Sequence, residues 1–330
     1  MRSFEYARPA TAEQAVALLA APGHEGRGAL PVAGGSDLLA LLKEGVVTPG
    51  RLVDLKGVAA LAGVERGADG GFVLGALTTI DELAADAALA AEHPALSRAF
   101  GDVAAPQIRN VGTLGGNLCQ RPRCWYFRLG YGLLARGADG GSLVESGDDR
   151  YHAVLGNGGP AYFVSPSTVA PLLVALGAEV ETAGPSGARR FGLAGLYRTP
   201  RGDGESELTL AAGELVARVH LPPPAGRRQA SYEVRQRRSL DWSLATAAVV
   251  LAMDGARVAA ARVVLGQVAP VPWRAEAAEA ALAGKPLDAA TAAAAAAAAV
   301  TGARALGRNG YKIQLAKTAV KRALLAAAGA

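Results

Sequence analysis

Two glycine pairs, the first just before a predicted helix and the second within a glycine-rich loop, are the parts of this sequence best suited to hold a ligand. The first pair, Gly34-Gly35, lies between a predicted strand over residues 30–33 and a helix predicted over residues 37–44 with Ser36 as its cap. Glycine allows a backbone to approach a ligand closely, and free N–H groups at a helix start attract phosphate. The pattern therefore predicts an anion-binding turn, with a purely structural strand-to-helix turn as the alternative.

The second pair, Gly115-Gly116, has Thr113 and Asn117 at its sides, and their hydroxyl and amide groups could reach the polar edge of a ligand. Two such turns suggest one extended ligand. Asp54 follows the first pair by about 20 residues, where a Rossmann fold carries its ribose-binding acid, but the G-x-G-x-x-G fingerprint is absent. We therefore exclude a nicotinamide-binding Rossmann domain.

The elements around these turns predict units of α/β type in the first half of the chain. Thr11 and Gln14 indicate a capping box for a helix that runs through Leu19. Further segments are predicted from periodicity and propensity. The predicted strands are 51–55, 72–76, 162–164, 179–182, 231–237 and 258–265. One helix is predicted to start at Thr78-Thr79, and others are predicted over 168–176, over 243–253 and in the tail from Asp288. In that tail the spacing of Arg304, Arg308 and Lys312 predicts that they lie on one helical face.

Proline and loop composition indicate how the chain is divided. The run Leu221–Gly226 contains three consecutive prolines, which neither a helix nor a central strand accommodates, and it predicts a domain edge. Residues 106–150 form a long irregular excursion, and such loops in compact domains are usually functional or disordered. The length of 330 residues favours two domains.

Composition excludes several classes of protein. Hydrophobic residues make up 51% of the chain, and the net charge of +5 comes without long runs of like charge, which argues against nucleic-acid binding. Neither a signal peptide nor an apolar run of about 18 residues is present, so we expect a soluble, cytoplasmic protein without a membrane partner, leaving open export with a partner that carries the signal. Two cysteines allow no disulfide framework, and the four histidines are isolated in sequence, so no metal site is predicted.

Taken in order, the motifs resemble those of the FAD-binding, or medium, subunits of the xanthine dehydrogenase and carbon monoxide dehydrogenase family. Residues 32–38 resemble the first FAD segment of that family and residues 106–117 the second. Three later motifs resemble its C-terminal signatures, in the same order. They are Tyr232–Arg237 with Asp241-Trp242, Gly266–Pro270 with Trp273-Arg274, and Lys312-Ile313 with Leu315-Ala316.

The resemblance implies an α+β fold with a PCMH-type FAD-binding domain over residues 1–222, made of two α/β subdomains split near residue 56. A smaller α+β domain of the carbon monoxide dehydrogenase flavoprotein type is expected over 227–330. The implied residues around the FAD pyrophosphate are Leu30, Pro31, Val32, Ala33, Gly34, Gly35, Ser36, Asp37 and Leu38. Those along the flavin and ribityl portion are Thr113, Leu114, Gly115, Gly116 and Asn117. Thr168, Val216 and Glu233 are further expected contacts, and no catalytic residue is nominated.

The same resemblance implies an electron-transfer role. In this family electrons leave a molybdenum centre in a large subunit, cross the [2Fe-2S] clusters of a small subunit, and reach FAD, which reduces a terminal acceptor. The alternatives are a self-contained flavoprotein oxidoreductase and a flavin-free scaffold subunit. The substrate of the large subunit and the terminal acceptor are left open.

Residues 117–128 resemble a branch, including aldehyde oxidoreductase and 4-hydroxybenzoyl-CoA reductase relatives, that adds an iron–sulfur cluster to this subunit. Such a cluster needs four thiolate ligands, and the chain has only Cys119 and Cys124, so we predict free thiols and no cluster. Thr168 stands where that branch often has an acid, and Glu233 where the family has a lysine. The expected effect of both is altered tuning of the cofactor, with surface substitutions that have no redox consequence as the alternative.

Arginine and aromatic residues alternate between Arg121 and Arg128. This composition suits a subunit interface, because both residue types are enriched at protein interfaces. A single-stranded nucleic-acid platform and a packed loop under the flavin are the alternatives.

Overall fold

The computed structural model describes residues 1–237 and 241–329, which form three β-sheets with helices packed on and between them. The first sheet is parallel, with the strand order β1-β3-β2. Its elements, in chain order, are β1 (Glu5–Ala7), α1 (Ala12–Ala20), β2 (Ala29–Val32), α2 (Leu38–Lys43) and β3 (Arg51–Asp54). The crossover through α2 explains why β2 and β3 pair in parallel, because parallel neighbours cannot be joined by a tight hairpin.

Two antiparallel strands and a series of mostly short helices come next in the chain. They are β4 (Val64–Arg66), β5 (Phe72–Gly75), α3 (Ile80–Ala85), α4 (Ala87–Glu92), α5 (Pro94–Gly101), α6 (Pro106–Arg109), α7 (Leu114–Leu118), α8 (Trp125–Arg128), α9 (Leu143–Ser146) and α10 (Ala170–Leu176). Thr79 caps α3 in a full capping box with Glu82, since each side chain accepts a hydrogen bond from the other residue's backbone N–H. The long excursion is thus organised by one-turn helices and loops.

The second sheet is antiparallel and has the order β4-β5-β8-β6-β7. It is completed by β6 (Glu179–Gly184), β7 (Gly187–Gly192) and β8 (Leu215–Leu221). Every residue of α10 is buried, because this helix packs between the second sheet and the third.

The third sheet is antiparallel, with the order β12-β11-β10-β9, and helices pack on both of its faces. Its strands and helices are β9 (Arg228–Val234), β10 (Ala245–Asp254), β11 (Arg257–Gly266), β12 (Trp273–Arg274), α11 (Glu276–Leu282), α12 (Ala289–Ala298) and α13 (Tyr311–Ala328). No helix within residues 1–237 and 241–329 is both long enough and apolar enough to cross a membrane.

The predicted helix over residues 243–253 is wrong, because this segment forms the central strand β10. Residues 245–251 are all buried, with α10 on one face of the sheet and α13 on the other. A strand buried on both faces has a continuous apolar pattern, without the alternation that marks a half-buried strand. Its alanines then favour helix by propensity, and the tertiary packing overrides that preference.

Two other sequence expectations also differ from the structure. Residues 162–164 form no strand, and the Tyr162 carbonyl accepts a hydrogen bond from Ala153 N–H in a neighbouring loop. The spacing of Arg304, Arg308 and Lys312 does not give one helical face, because α13 begins only at Tyr311. Lys312 is buried, and its ammonium group donates to the backbone carbonyls of three residues, which are Tyr151, His152 and Gln267.

Candidate cofactor-binding site

The first glycine turn follows β2 directly and leads into α2. Gly35 has φ of +72°, a conformation that favours glycine, and a Cβ on Gly34 would lie 1.8 Å from the carbonyl oxygen of Val111. The sequence Gly34-Gly35 is therefore required by two different constraints. One glycine permits the left-handed turn, and the other lets the loop before α7 approach the turn.

The backbone N–H groups of this turn are available to a ligand. Among the described residues, no acceptor takes a hydrogen bond from the N–H of Gly34, Gly35, Ser36 or Asp37. Gly34, Gly35 and Asp37 are partly exposed and Ser36 is exposed, so a ligand can reach these groups, and successive unpaired N–H groups form anion-binding concavities. This arrangement suits a diphosphate.

The acid of the first turn has a role that the sequence did not indicate. Ser36 does not cap α2 as predicted, since the capping position belongs to Asp37, whose side chain makes no capping bond. The Asp37 carboxylate instead accepts from the backbone N–H of Arg121 and the guanidinium of Arg128, both at 2.8 Å, and lies 3.0 Å from the guanidinium of Arg123. Asp37 therefore holds the arginine-rich loop against the first turn.

The second glycine turn has most of its N–H groups bonded within the protein. Leu114 N–H donates to the Thr78 carbonyl at 3.0 Å, and Gly115 N–H donates to the Ala76 carbonyl at 2.8 Å. Gly116 N–H donates to the hydroxyl of Thr113, which caps α7. A Cβ on Gly115 would lie 3.0 Å from the Cβ of Ala76, so this pair provides clearance between loops.

The two turns line one cavity of about 280 Å³. All of residues 30–38 line it, as do Thr113, Gly115, Gly116 and Val216. The structure thus brings together residues that are more than 70 positions apart in the chain and that the sequence analysis assigned to one ligand.

An adjoining cavity of about 210 Å³ continues from the first. Both cavities are lined by Ser36, Asp37, Thr113, Gly116 and Gln120. The predicted residues Asn117 and Thr168 line only the second. Together the two cavities form an elongated cleft, which we call the cofactor cleft. An extended molecule fits this shape.

Two predicted site residues, Leu114 and Glu233, line neither cavity. The Leu114 side chain is fully buried in the core under α7. Glu233 accepts hydrogen bonds from Ser243 and, at 2.8 Å, from Arg235, while burial raises the pKa of its carboxyl. Its charge therefore faces an arginine, and the expected effect of Glu233 on the cofactor stays a prediction.

Three arginines of the second cavity were missed by the sequence reasoning. Arg109, Arg123 and Arg235 all line it. Arg109 follows Ile108 within the second predicted FAD segment and Arg235 stands within a C-terminal motif, so their positions were available signals. Arg123 stands in the arginine- and aromatic-rich stretch for which a loop packed under the flavin was one alternative, but its place in the cleft depends on Asp37.

The two cysteines lie in different surroundings. Cys119 packs against the core of the second sheet, and burial raises the pKa of its thiol to about 12. The Cys124 sulfur lies 3.1 Å from Nε2 of His152, and burial raises its thiol pKa as well. Across residues 1–237 and 241–329, no three or more His, Cys, Asp or Glu side chains cluster in a way that could hold a metal ion. The absence of an iron–sulfur cluster remains a prediction.

Two family models match the chain and together span nearly all of it. The FAD binding domain in molybdopterin dehydrogenase matches residues 2–224, and the carbon monoxide dehydrogenase flavoprotein C-terminal domain matches residues 230–327. These matches confirm the predicted α+β fold class of an FAD-binding domain followed by a flavoprotein C-terminal domain. They also confirm FAD as the predicted cofactor.

Curated relatives agree with the family models. The aldehyde oxidoreductase FAD-binding subunit PaoB of Escherichia coli K12 is 38% identical, over 86% of this chain and 86% of its own length. The carbon monoxide dehydrogenase medium chain of Afipia carboxidovorans is 34% identical, over 87% of this chain and 82% of its own. The resemblance predicted from the motifs is therefore confirmed.

Solved structures give the same result. A chain of the cyanide-inactivated Cu,Mo carbon monoxide dehydrogenase has a TM-score of 0.77 and 31% identity, covering 100% of this chain and 99% of that one. A chain of quinoline 2-oxidoreductase from Pseudomonas putida 86 has a TM-score of 0.77 and 29% identity, covering 99% and 98%. With its two glycine turns on one cleft, the chain belongs to the family of FAD-binding medium subunits of molybdenum hydroxylase-type oxidoreductases.

Proposed function

We propose that this chain is the electron-transfer subunit of a molybdenum hydroxylase-type complex and passes electrons from partner iron–sulfur clusters through FAD to a terminal acceptor. The observation that carries the proposal is the cofactor cleft, which residues 30–38 line together with Thr113, Gly115, Gly116 and Asn117 although the two sets are distant in sequence. The proposed partners are a molybdenum cofactor-binding large subunit and a [2Fe-2S] small subunit. In this proposal the partners supply the electrons, and no residue of this chain is assigned a catalytic role.

The cleft fits FAD on features of its own backbone. The unpaired N–H groups of Gly34, Gly35, Ser36 and Asp37 would hold the pyrophosphate, since they offer donors where the ligand is negatively charged. When bound, FAD supplies a centre that accepts electrons singly and releases them in pairs. Gly34 contributes by having no side chain, because any Cβ there would collide with Val111.

The chain's own side chains orient the cleft. Asp37 fixes the loop of residues 121–128 through two hydrogen bonds and an ion pair, so that Arg123 faces the second cavity. Ser167 donates to the side-chain oxygen of Asn117 at 2.7 Å and thereby holds that residue at the cavity wall. These contacts hold the second half of the cleft in a fixed shape, which favours ligand binding because less ordering is needed.

We also propose the domain limits that the resemblance implied. The FAD-binding unit is assigned to residues 1–222, as two subdomains divided near residue 56, and the C-terminal unit to residues 227–330. In support, the first sheet ends at Asp54, β8 ends at Leu221 and β9 begins at Arg228.

The proposal is tested by the near-ultraviolet and visible absorption spectrum of the purified full chain, followed by release and identification of the chromophore. We expect flavin bands, released FAD near one per chain, and co-purification with the large and small subunits when the three are expressed together. A colourless protein that takes up no added FAD would leave the scaffold alternative. A chain that oxidises a small substrate without partners would instead support the self-contained flavoprotein.

A further inference from the structure

The second cavity of the cofactor cleft has three arginines on its wall, and two of them contact mainly backbone carbonyls and carboxylates at its edge. Arg235 pairs with Glu233 at 2.8 Å and donates to the Asp102 carbonyl. Arg109 donates to two backbone carbonyls, at 3.2 and 3.0 Å, and lies beside Asp81. These two arginines therefore link neighbouring chain segments at the edge of the cavity.

Arg123 is placed differently. Its guanidinium lies 3.0 Å from Asp37, its Cζ lies 4.2 Å from the ring centre of Trp242, and its Nη2 donates weakly to Gln120 at 3.4 Å. A guanidinium over an indole face is attracted by the ring and kept flat against it. A carboxylate on one side and an indole on the other thus fix the orientation of this cation.

The charge of Arg123 is only partly compensated by its partner. Asp37 is shared with Arg128, whose Nη2 lies 2.8 Å from the same carboxylate oxygen that faces Arg123. One carboxylate therefore faces two guanidinium groups. Asp102 and Asp241 are the other acids of the cavity wall, and Asp241 is paired with Arg237 at 2.6 Å. Arg123 consequently brings positive potential to the second cavity.

Burial does not remove this charge. Burial lowers the pKa of the Arg123 guanidinium to about 10, which keeps it protonated at neutral pH. Its Nε is buried and has no hydrogen-bond partner among the described residues, as is also true of the Nε of Arg109, so the orientation of Arg123 toward Asp37 and Trp242 is what distinguishes it. A preorganised cation in a water-poor site stabilises developing negative charge more than the same cation in water.

We propose that Arg123, held between Asp37 and Trp242, is a positioned cation that stabilises the negative charge which FAD gains on reduction. This inference rests on the proposed function, which places the flavin portion of FAD along Thr113 and Asn117 in the second cavity. Two-electron reduction with uptake of one proton adds one negative charge to the cofactor. Arg123 therefore raises the midpoint potential of the bound FAD.

The test is the midpoint potential of FAD in the full chain, measured by spectroelectrochemistry with mediator dyes. Arg123→Gln removes the charge, and we expect the reduced form to lose about tenfold of its relative stability, a fall of about 30 mV for a two-electron couple. Arg123→Lys keeps the charge without the planar fork and should recover part of that loss. If Arg123 had only a structural role, the charge of the lysine in Arg123→Lys would not restore the midpoint potential.

Arg128→Gln is the matched control, because Arg128 pairs with the same carboxylate but does not line the second cavity. We expect it to change the relative stability of the reduced form by less than threefold. Equal shifts in Arg128→Gln and Arg123→Gln would overturn the proposal, as would an unchanged potential in Arg123→Gln.

A variant that releases FAD still gives a result. The dissociation constants of oxidised and reduced FAD are then measured by titration, and their ratio reports the same difference between the two forms. A ratio equal to that of the unaltered protein would refute the role of Arg123. An unaltered protein that binds no FAD in either form would refute the proposed function itself, so the two failures are distinct.

Discussion

The two glycine turns of the cofactor cleft are similar in sequence, but their backbone N–H groups have different partners. In the turn at Gly34-Gly35 the backbone N–H groups have no acceptor among the described residues, so they are free for a ligand. In the turn at Gly115-Gly116 the N–H groups bond to Ala76, Thr78 and Thr113. A glycine pair therefore indicates that another group approaches the backbone closely. The hydrogen bonds of the backbone N–H groups then show whether the protein itself already occupies these donors or leaves them for a ligand.

The difference also assigns separate tasks to the two halves of the cleft. The first turn offers donors to an anion, and the second offers a thin, closely packed wall beside Thr113 and Asn117. The substitutions below are expected to separate these tasks, since changes in the first turn should act mainly on FAD binding and changes in the second mainly on stability.

Gly34→Ala should have the largest effect. The new Cβ would lie 1.8 Å from the Val111 carbonyl oxygen, and backbone must move to relieve the clash. We expect FAD content below a tenth of the normal value and a loss of about 3 kcal/mol in the free energy of unfolding. Chromophore release and chemical denaturation measure both. Gly28→Ala, where the added Cβ meets no atom within 4 Å, is the control, and equal behaviour of the two variants would contradict the prediction.

Gly35→Leu tests whether the first turn binds FAD, and it should destabilise the fold less than Gly34→Ala does. Its φ of +72° makes any side chain cost about 1–2 kcal/mol, and the nearest atoms belong to the flexible Leu39 side chain, with Val32 Cγ2 at 3.8 Å. We expect loss of most FAD while the protein stays folded, measured by absorption and circular dichroism. Gly45→Leu has the same φ of +72° with open space around it, so it should lose similar stability and keep its FAD. If Gly35→Leu retains one FAD per chain, the interpretation that the first turn binds FAD is wrong.

Gly115→Ala should reverse the balance between the two effects. The added Cβ would meet Ala76 Cβ at 3.0 Å and the Ala76 carbonyl oxygen at 3.1 Å, so the loops must separate by a few tenths of an ångström. We expect a loss of about 1–2 kcal/mol in unfolding free energy with FAD affinity reduced by less than Gly34→Ala reduces it. Gly101→Ala, with no neighbour within 4 Å, serves as the control. If Gly115→Ala loses more FAD than Gly34→Ala, the assignment of FAD binding mainly to the first turn is wrong.

Thr113→Val should have the smallest effect. It removes the hydroxyl that caps α7 and accepts from Gly116 N–H, which costs about 1 kcal/mol. Thermal unfolding and FAD titration measure the outcome. Thr11→Val removes an equivalent cap from α1, at a residue that lines neither cavity of the cleft, and should cost a similar amount. If Thr113→Val weakens FAD binding more than tenfold and Thr11→Val does not, the hydroxyl contacts the ligand directly.

Local signals were sufficient for much of the secondary structure. The strand before Gly34, the cap at Thr79 and the helix in the alanine-rich stretch of residues 292–299 are all observed near their predicted bounds. Each depends on residues that are close in sequence, through turn conformation, capping or propensity. The segment that became β10 was predicted wrongly because its environment, with packing on both faces, comes from distant elements.

The site shows the same division. The sequence by itself determined both glycine turns, their order and, through the family resemblance, the cofactor. Only the tertiary structure decided that Asp37 would bind Arg121, Arg123 and Arg128, more than 80 residues later, and so place a cation in the cleft. Glycine acts through its own backbone conformation and can be recognised locally, whereas an ion pair requires two chain segments whose meeting depends on the packing of the whole domain.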